Sequence, residues 1–190
     1  RSLLTQTHQN LEVILVDDGS FDRSGAMCDG YSLADPRVQV IHQENAGPAA
    51  ARNAGIDRVS GRFTMFVDSD DWVHRELVSQ LLALLDGDEV DIAVCRFVWV
   101  SSDDVSGARA DGRTRSHTTR EALRLFAGGT ASLMTSPCAK LYRTELFQGV
   151  RFAVGRLHED EFTTYKLVAA ARRIIISEAE LYYYFGRPES

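Results

Sequence analysis

Arg62-Phe-Thr-Met-Phe-Val-Asp-Ser-Asp-Asp-Trp72 is the stretch on which the reading of the chain turns. Phe63 to Val67 is a short apolar run, rich in aromatic and β-branched residues, and reads as a buried strand. It ends abruptly in Asp68, Asp70 and Asp71. A strand that releases acids at its carboxyl end puts negative charge at the crevice where open α/β sheets bind ligands. Carboxylates this close repel one another unless a cation or protons neutralise them. Oxygen-only ligands suit Mg²⁺ or Mn²⁺, with substrate phosphates completing the shell. The competing reading is a solvated acidic turn that caps the next helix.

Outward from this turn, strand and helix patterns alternate. Leu11 to Val16 is a hydrophobic strand closed by Asp17-Asp18-Gly19-Ser20. Ser24 to Leu33 fits a helix that stops before Asp35-Pro36. Val38 to His42 is a second strand, and Pro48 opens an alanine-rich helix to Ile56. Glu76 to Leu85 places Leu77, Leu81, Leu84 and Leu85 at helical spacing. Asp91 to Val100 is a further strand. This rhythm predicts βαβ units and a largely parallel sheet. Ser101 to Thr119 is polar and reads as a long loop or flexible hairpin. Arg120 to Phe126 resumes as helix, Ser136 to Phe147 shows no clean period, and His158-Glu-Asp-Glu161 introduces a helix through Leu167 and Val168. Ile174 to Ile176 and Leu181 to Phe185 read as two closing strands.

The 190 residues are 44% hydrophobic and 25% charged, ordinary for a single globular domain with a real core. A formal charge of −6 argues against a nucleic-acid partner. Cys28, Cys95 and Cys138 are widely spaced and form no metal-ligand pattern, which points weakly to a reducing compartment. No apolar stretch reaches the length of a membrane span. Arg1-Ser-Leu-Leu-Thr-Gln-Thr-His8 reads as the tail of a helix already under way, so a fragment is expected.

Three more segments carry chemistry. Asp17 and Asp18 sit at a strand's carboxyl end, where a carboxylate can accept from a base N–H or a ribose hydroxyl; helix capping by Asp18 or Ser20 is the alternative. Arg52 lies one turn inside the alanine-rich helix, where its guanidinium could face a diphosphate or pair with the acids of the other turns. Glu159 and Asp160 open a late helix. Acids there are favoured by the helix macrodipole, so capping alone accounts for them, and general-base catalysis needs such a carboxylate too.

Taken in order, these segments resemble the family 2 glycosyltransferases. They are Asp17-Asp-Gly-Ser20 after one strand, Asn45-Ala-Gly-Pro-Ala-Ala-Ala-Arg-Asn53 on a helix, Asp68-Ser-Asp-Asp71 after the next strand, and Glu159-Asp160 at a late helix. Pro137 to Phe147 and Tyr182 to Ser190 are similar to segments of the subgroup that builds bacterial capsular and exopolysaccharides. The resemblance implies an α/β GT-A fold, with a donor-binding half over residues 1–100 and an acceptor-side half over residues 101–190. It also implies that the family's first, central strand has no counterpart here, which would leave two neighbouring strand edges open.

The same resemblance implies site roles. Asp17 would contact the base of a nucleotide-sugar, with Asp18 adjacent. Arg52 would lie near the nucleotide and Asp68 at the ribose. Asp70 would bind Mn²⁺ or Mg²⁺, Asp160 would be the general base, and Glu159 would support it. The implied reaction is inverting transfer from a nucleotide-sugar, by expectation a UDP-sugar, to a saccharide or lipid-linked acceptor in polysaccharide synthesis. A cytoplasmic location, with peripheral association at the inner membrane face, follows by the same analogy. Acceptor specificity would reside in Ser101 to Thr119. Lys140, Tyr142, Arg143, Arg187 and Ser190 are minor candidates, Tyr182 to Tyr184 read as strand packing, and His42 as a surface residue. Two other classes compete: a non-catalytic nucleotide-sugar-binding module, and a sugar-phosphate nucleotidyltransferase, whose Gly-rich signature is absent. A dinucleotide-binding dehydrogenase lacks its Gly-x-Gly-x-x-Gly.

Overall fold

The computed structural model describes residues 1–85, 87, 89–102, 105, 107–128 and 131–186. The described elements run, in order, β1 (Val13–Asp18), α1 (Ser24–Ala34), β2 (Val38–Gln43), α2 (Pro48–Ile56), β3 (Phe63–Met65), β4 (Trp72–Val73), α3 (Leu77–Leu84), β5 (Ile92–Val100), β6 (Thr114–Thr118), α4 (Thr119–Arg124), α5 (Ala131–Thr135), β7 (Lys140–Arg143), α6 (Glu161–Ala170) and β8 (Arg173–Phe185). Two short 3-10 turns follow α4 and β7.

The strands fall into two sheets. β1 pairs in parallel with β2, Val13 opposite Val38 through Asp18 opposite Gln43. The larger sheet has the order β3-β7-β5-β8-β4, with β6 also on β8. Here β5 and β8 are parallel, while β3/β7, β5/β7, β4/β8 and β6/β8 are antiparallel. The expected largely parallel sheet is therefore a mixed one, because β4, β6 and β7 run against β3, β5 and β8. Since β7 opposes both β3 and β5, the strands β3, β5 and β8 share one direction. Their carboxyl ends, and with them Asp68, Val100 and Phe185, emerge at one end of the sheet.

β5 begins with Ile92, Ala93, Val94 and Cys95, all fully buried, so both of its faces are covered. α3 contributes the buried Leu77 and Leu81, and α6 contributes Leu167 and Val168. The amino-terminal segment is tied down by Gln6, which is fully buried: its amide donates to His74 O at 2.8 Å and accepts from Val78 N at 3.0 Å, capping the start of α3.

Three features differ from the pattern in the sequence. Within Ser101 to Thr119, the residues Thr114–Thr118 form β6 against β8, and Glu178 N and Glu180 N donate to Arg113 O and Arg109 O. The two expected closing strands are one, because a register shift on β5 between Val94 and Arg96 absorbs the polar Ser177–Glu180 interval. The unreadable stretch before Phe147 hides β7, each of whose residues is buried, so no alternation marks it.

β1 and β3 face each other across an apolar cleft without pairing. Ile14, Leu15 and Val16 line one side and Phe63 to Val67 the other, enclosing about 390 Å³ toward α2. Glu12 bridges the cleft's end, accepting from Ser60 N at 2.8 Å and Gly61 N at 3.0 Å.

Candidate active site

Asp68, Arg52 and Glu159 come from three separate parts of the chain and meet. Pro48 presets the first turn of α2, and Arg52 follows one turn later. Its Nη1 donates to Glu159 Oε1 at 2.5 Å and its Nη2 to Asp68 Oδ1 at 3.2 Å. The guanidinium also lies 5.4 Å from the centroid of the Phe152 ring. Asn53 fixes that ring's backbone, donating to Phe152 O and accepting from Phe152 N, each at 2.9 Å. Burial opposes the charge on Arg52, but Asp68 and Glu159 outweigh it and raise its pKa. A planar fork reaching two carboxylates is what guanidinium provides and an ammonium does not.

The turn after β3 is clamped from behind. The buried Tyr182 hydroxyl accepts from Asp68 N at 3.1 Å and donates to Asp71 Oδ2 at 2.6 Å. The other oxygen, Asp71 Oδ1, accepts from Phe185 N at 2.9 Å. Burial raises the Asp71 pKa above the ordinary carboxylate range. Asp71 therefore has a structural task, whereas Asp70 lies exposed at the tip of the turn.

Glu159 and Asp160 precede α6, after His158 in the left-handed region at φ 56°. Asp160 is the N-cap: its Oδ1 accepts from Glu161 N at 2.9 Å. The capping that the sequence allowed is present, and Asp160 follows in sequence on Glu159, which pairs with Arg52.

Asp17 and Asp18 do different work. Asp18 accepts from Ala46 N at 3.0 Å, Gly47 N at 2.8 Å and Gln43 Nε2 at 2.6 Å, so it shapes the loop into α2 rather than its own helix. Gly47 holds φ 86° there, a conformation glycine tolerates. Asp17 accepts from Ser20 N at 3.1 Å and bonds His42 Nδ1 at 2.9 Å, while His42 Nε2 reaches Asp29 Oδ1 at 2.9 Å. Hydrogen bonds from Ser20, then His42, lower the Asp17 pKa; Asp17, then Asp29, raise that of His42. No direct contact joins Asp17 or Asp18 to the Arg52 cluster; α2 links the two groups.

Lys140 is fully buried, its Nζ donating to Leu133 O, Ser136 O and Cys138 O at 2.5, 2.5 and 3.3 Å. Burial pushes its pKa down to about 8. Tyr142 donates to Pro137 O at 3.1 Å. Arg143 lies at the other end of β7's course, with Asp91 and Arg172. These three minor candidates are structural. Arg187 and Ser190 lie outside the described residues.

As for a metal, no group of three His, Cys, Asp or Glu is arranged to hold one among the described residues. With Asp71 committed to Tyr182 and Asp68 to Arg52, the turn presents few carboxylate oxygens. That fits an ion held by one or two carboxylates with most of its shell supplied by substrate phosphates.

Comparison with known proteins places the chain. The family model described as glycosyl transferase family 2 matches residues 1–151. The chain belongs to glycosyl transferase family 2. Glycosyltransferase GlyG of Streptococcus pneumoniae is 35% identical over 198 residues, covering 99% of this chain and 65% of that protein. The putative glycosyltransferase EpsH of Bacillus subtilis is 34% identical, over 96% of this chain and 54% of its own length. The crystal structure of S. aureus TarS 1-349 in complex with UDP-GlcNAc superimposes with a TM-score of 0.80 at 27% identity, covering 98% of this chain and 53% of that one. This family 2 chain thus spans roughly half to two thirds of the length of these relatives, and the mixed α/β architecture is that of the GT-A fold.

Proposed function

We propose that this chain carries the donor site and catalytic carboxylates of an inverting glycosyltransferase. It would move a sugar from a nucleotide-diphospho-sugar, taken to be a UDP-sugar, to a hydroxyl of a saccharide or lipid-linked acceptor in polysaccharide synthesis. The observation that carries the reading is convergence: Arg52 draws Asp68, at the end of β3, against Glu159, at the head of α6. The complex of TarS with UDP-GlcNAc supports it by likeness.

Asp17 then addresses the base, with Asp18 adjacent and shaping the loop into α2, Asp68 addresses the ribose, and Arg52 ties the end of β3 to the head of α6 near the nucleotide. Asp160 takes the proton from the acceptor hydroxyl as it attacks the anomeric carbon, and the nucleoside diphosphate leaves from the opposite face. General-base assistance of this kind contributes ~10²–10⁴ in rate. Asp70 would hold Mn²⁺ or Mg²⁺. Such an ion, when bound, offsets the charge growing on the departing diphosphate. Residues 1–100 make up the donor half and residues 101–190 the acceptor half, at a cytoplasmic membrane face. No helix among the described residues is long and apolar enough to cross a membrane.

The test is donor hydrolysis and transfer from radiolabelled UDP-sugars, with and without Mn²⁺, across a panel of saccharide acceptors. Turnover that needs the ion supports the reading. Ion-dependent binding without turnover on any acceptor would instead identify a non-catalytic binding module.

A further inference from the structure

The face of the large sheet that meets the carboxylate turn also carries aromatic rings with no part in that turn. Parallel pairing sets Phe97 beside Tyr182 and Trp99 beside Tyr184. Residues two apart on a strand share a face, so all four project from the same one. Tyr182 identifies that face, because its hydroxyl bonds both Asp68 and Asp71. The inner pair is half-buried or buried. The outer pair is open: Trp99 is 65% and Tyr184 37% exposed. Their ring centroids are 4.4 Å apart, and Phe97 closes the group at 6.4 Å from Trp99 and 6.3 Å from Tyr184. Gly186 backs one edge of the indole so closely that a Cβ there would lie 3.4 Å from the ring. Away from Gly186, Tyr184 and Phe97 the indole is open to solvent.

We propose that Trp99 and Tyr184, backed by Phe97, form a stacking platform for a neutral pyranose ring of the acceptor saccharide, beside the carboxylate turn. This rests on the glycosyl-transfer reading of the neighbouring site. Continuity is the first argument, since β3, β5 and β8 all deliver their carboxyl ends here. Charge is the second. Burial, and then the field of Asp71, Asp68 and Asp70, raises the Tyr184 pKa, so its hydroxyl feels the charge of the carboxylate turn. A pyranose presents a C–H face to an aromatic ring and hydroxyl donors to carboxylates at its edge, and ligand sites commonly combine apolar walls with a few polar groups. Exposed large aromatics gathered in one patch mark such surfaces.

The test uses the whole chain with cellobiose, maltose and N,N′-diacetylchitobiose as probes. The indole N–H resonances of Trp72 and Trp99 are told apart with Trp99→Phe. At least one disaccharide should shift the Trp99 signal saturably and leave that of Trp72 unmoved. Tyr184→Ala should weaken that binding by about tenfold, while UDP-sugar affinity stays within about twofold of the parent. A Trp99 signal silent to all three sugars, or a shift undiminished in Tyr184→Ala, overturns the platform. The saccharide titration needs no donor, so absent UDP-sugar binding would count against the donor site and a silent Trp99 against the platform.

Discussion

Tyr182→Phe removes one oxygen from the back of the carboxylate turn and tests whether Tyr182 fixes it. The phenol is 1% exposed, donates to Asp71 at 2.6 Å and accepts from Asp68 N at 3.1 Å. A hydrogen bond to a charged group contributes about 1.5–3 kcal/mol, and a backbone N–H left without a partner adds a desolvation penalty. Asp71 keeps its bond from Phe185 N, which limits the loss. The expected destabilisation is therefore about 2–4 kcal/mol, a large share of a typical domain's stability. Urea unfolding followed by circular dichroism measures it, with an unchanged m-value showing that the unfolded state is not altered. Asp71→Asn closes a double-mutant cycle, which should return a coupling of about 1–2 kcal/mol because the two groups share a bond. A Tyr182→Phe protein within about 0.5 kcal/mol of the parent, or strictly additive effects, would refute the clamp.

Other consequences follow from the same structure. Arg52→Met leaves Asp68 and Glu159 facing each other without their shared cation, and should destabilise by about 2 kcal/mol and weaken UDP-sugar affinity in calorimetry. Asp160→Asn preserves the N-cap, since asparagine caps as well as aspartate, so the protein should fold and bind donor while transfer falls by ~10²–10⁴. Asp91→Asn should cost about 3 kcal/mol in urea unfolding at neutral pH, as it removes the buried negative charge that faces Arg143 and Arg172. Burial acts to raise the Asp91 pKa, but Arg172 and Arg143 prevail and lower it. A lowered folded-state pKa gives stability that is complete above the unfolded value near ~3.9 and is lost as pH falls through the folded one. The gap between parent and Asp91→Asn should therefore narrow below about pH 4.

Much of the site was legible because its residues break local rules. Core packing does not call for an arginine among alanines at Arg52 or for acids at Asp68 and Asp70, and the structure finds Arg52 pairing with Asp68 and Glu159, one of the two roles left open for it. The capping of α6 by Asp160 was equally foreseeable. What stayed hidden depends on distant partners. Tyr182 looks like any strand aromatic until its hydroxyl meets the turn from 114 positions away. His42 reads as a surface residue, yet bridges Asp17 and Asp29. In the fold, β7 lacks alternation because every residue is buried, and β6 is polar because its pairing with β8, not its side chains, makes it a strand. Burial on both faces and backbone pairing leave no periodic signature.

The most direct measurement is isothermal titration of UDP-GlcNAc into the chain in Mn²⁺ buffer, repeated with Asp70→Asn and Arg52→Met. A convergent donor site predicts one saturable binding event, diminished by chelation and by each substitution. The contrary result is no heat from any UDP-, GDP- or dTDP-sugar, or binding that both substitutions leave untouched.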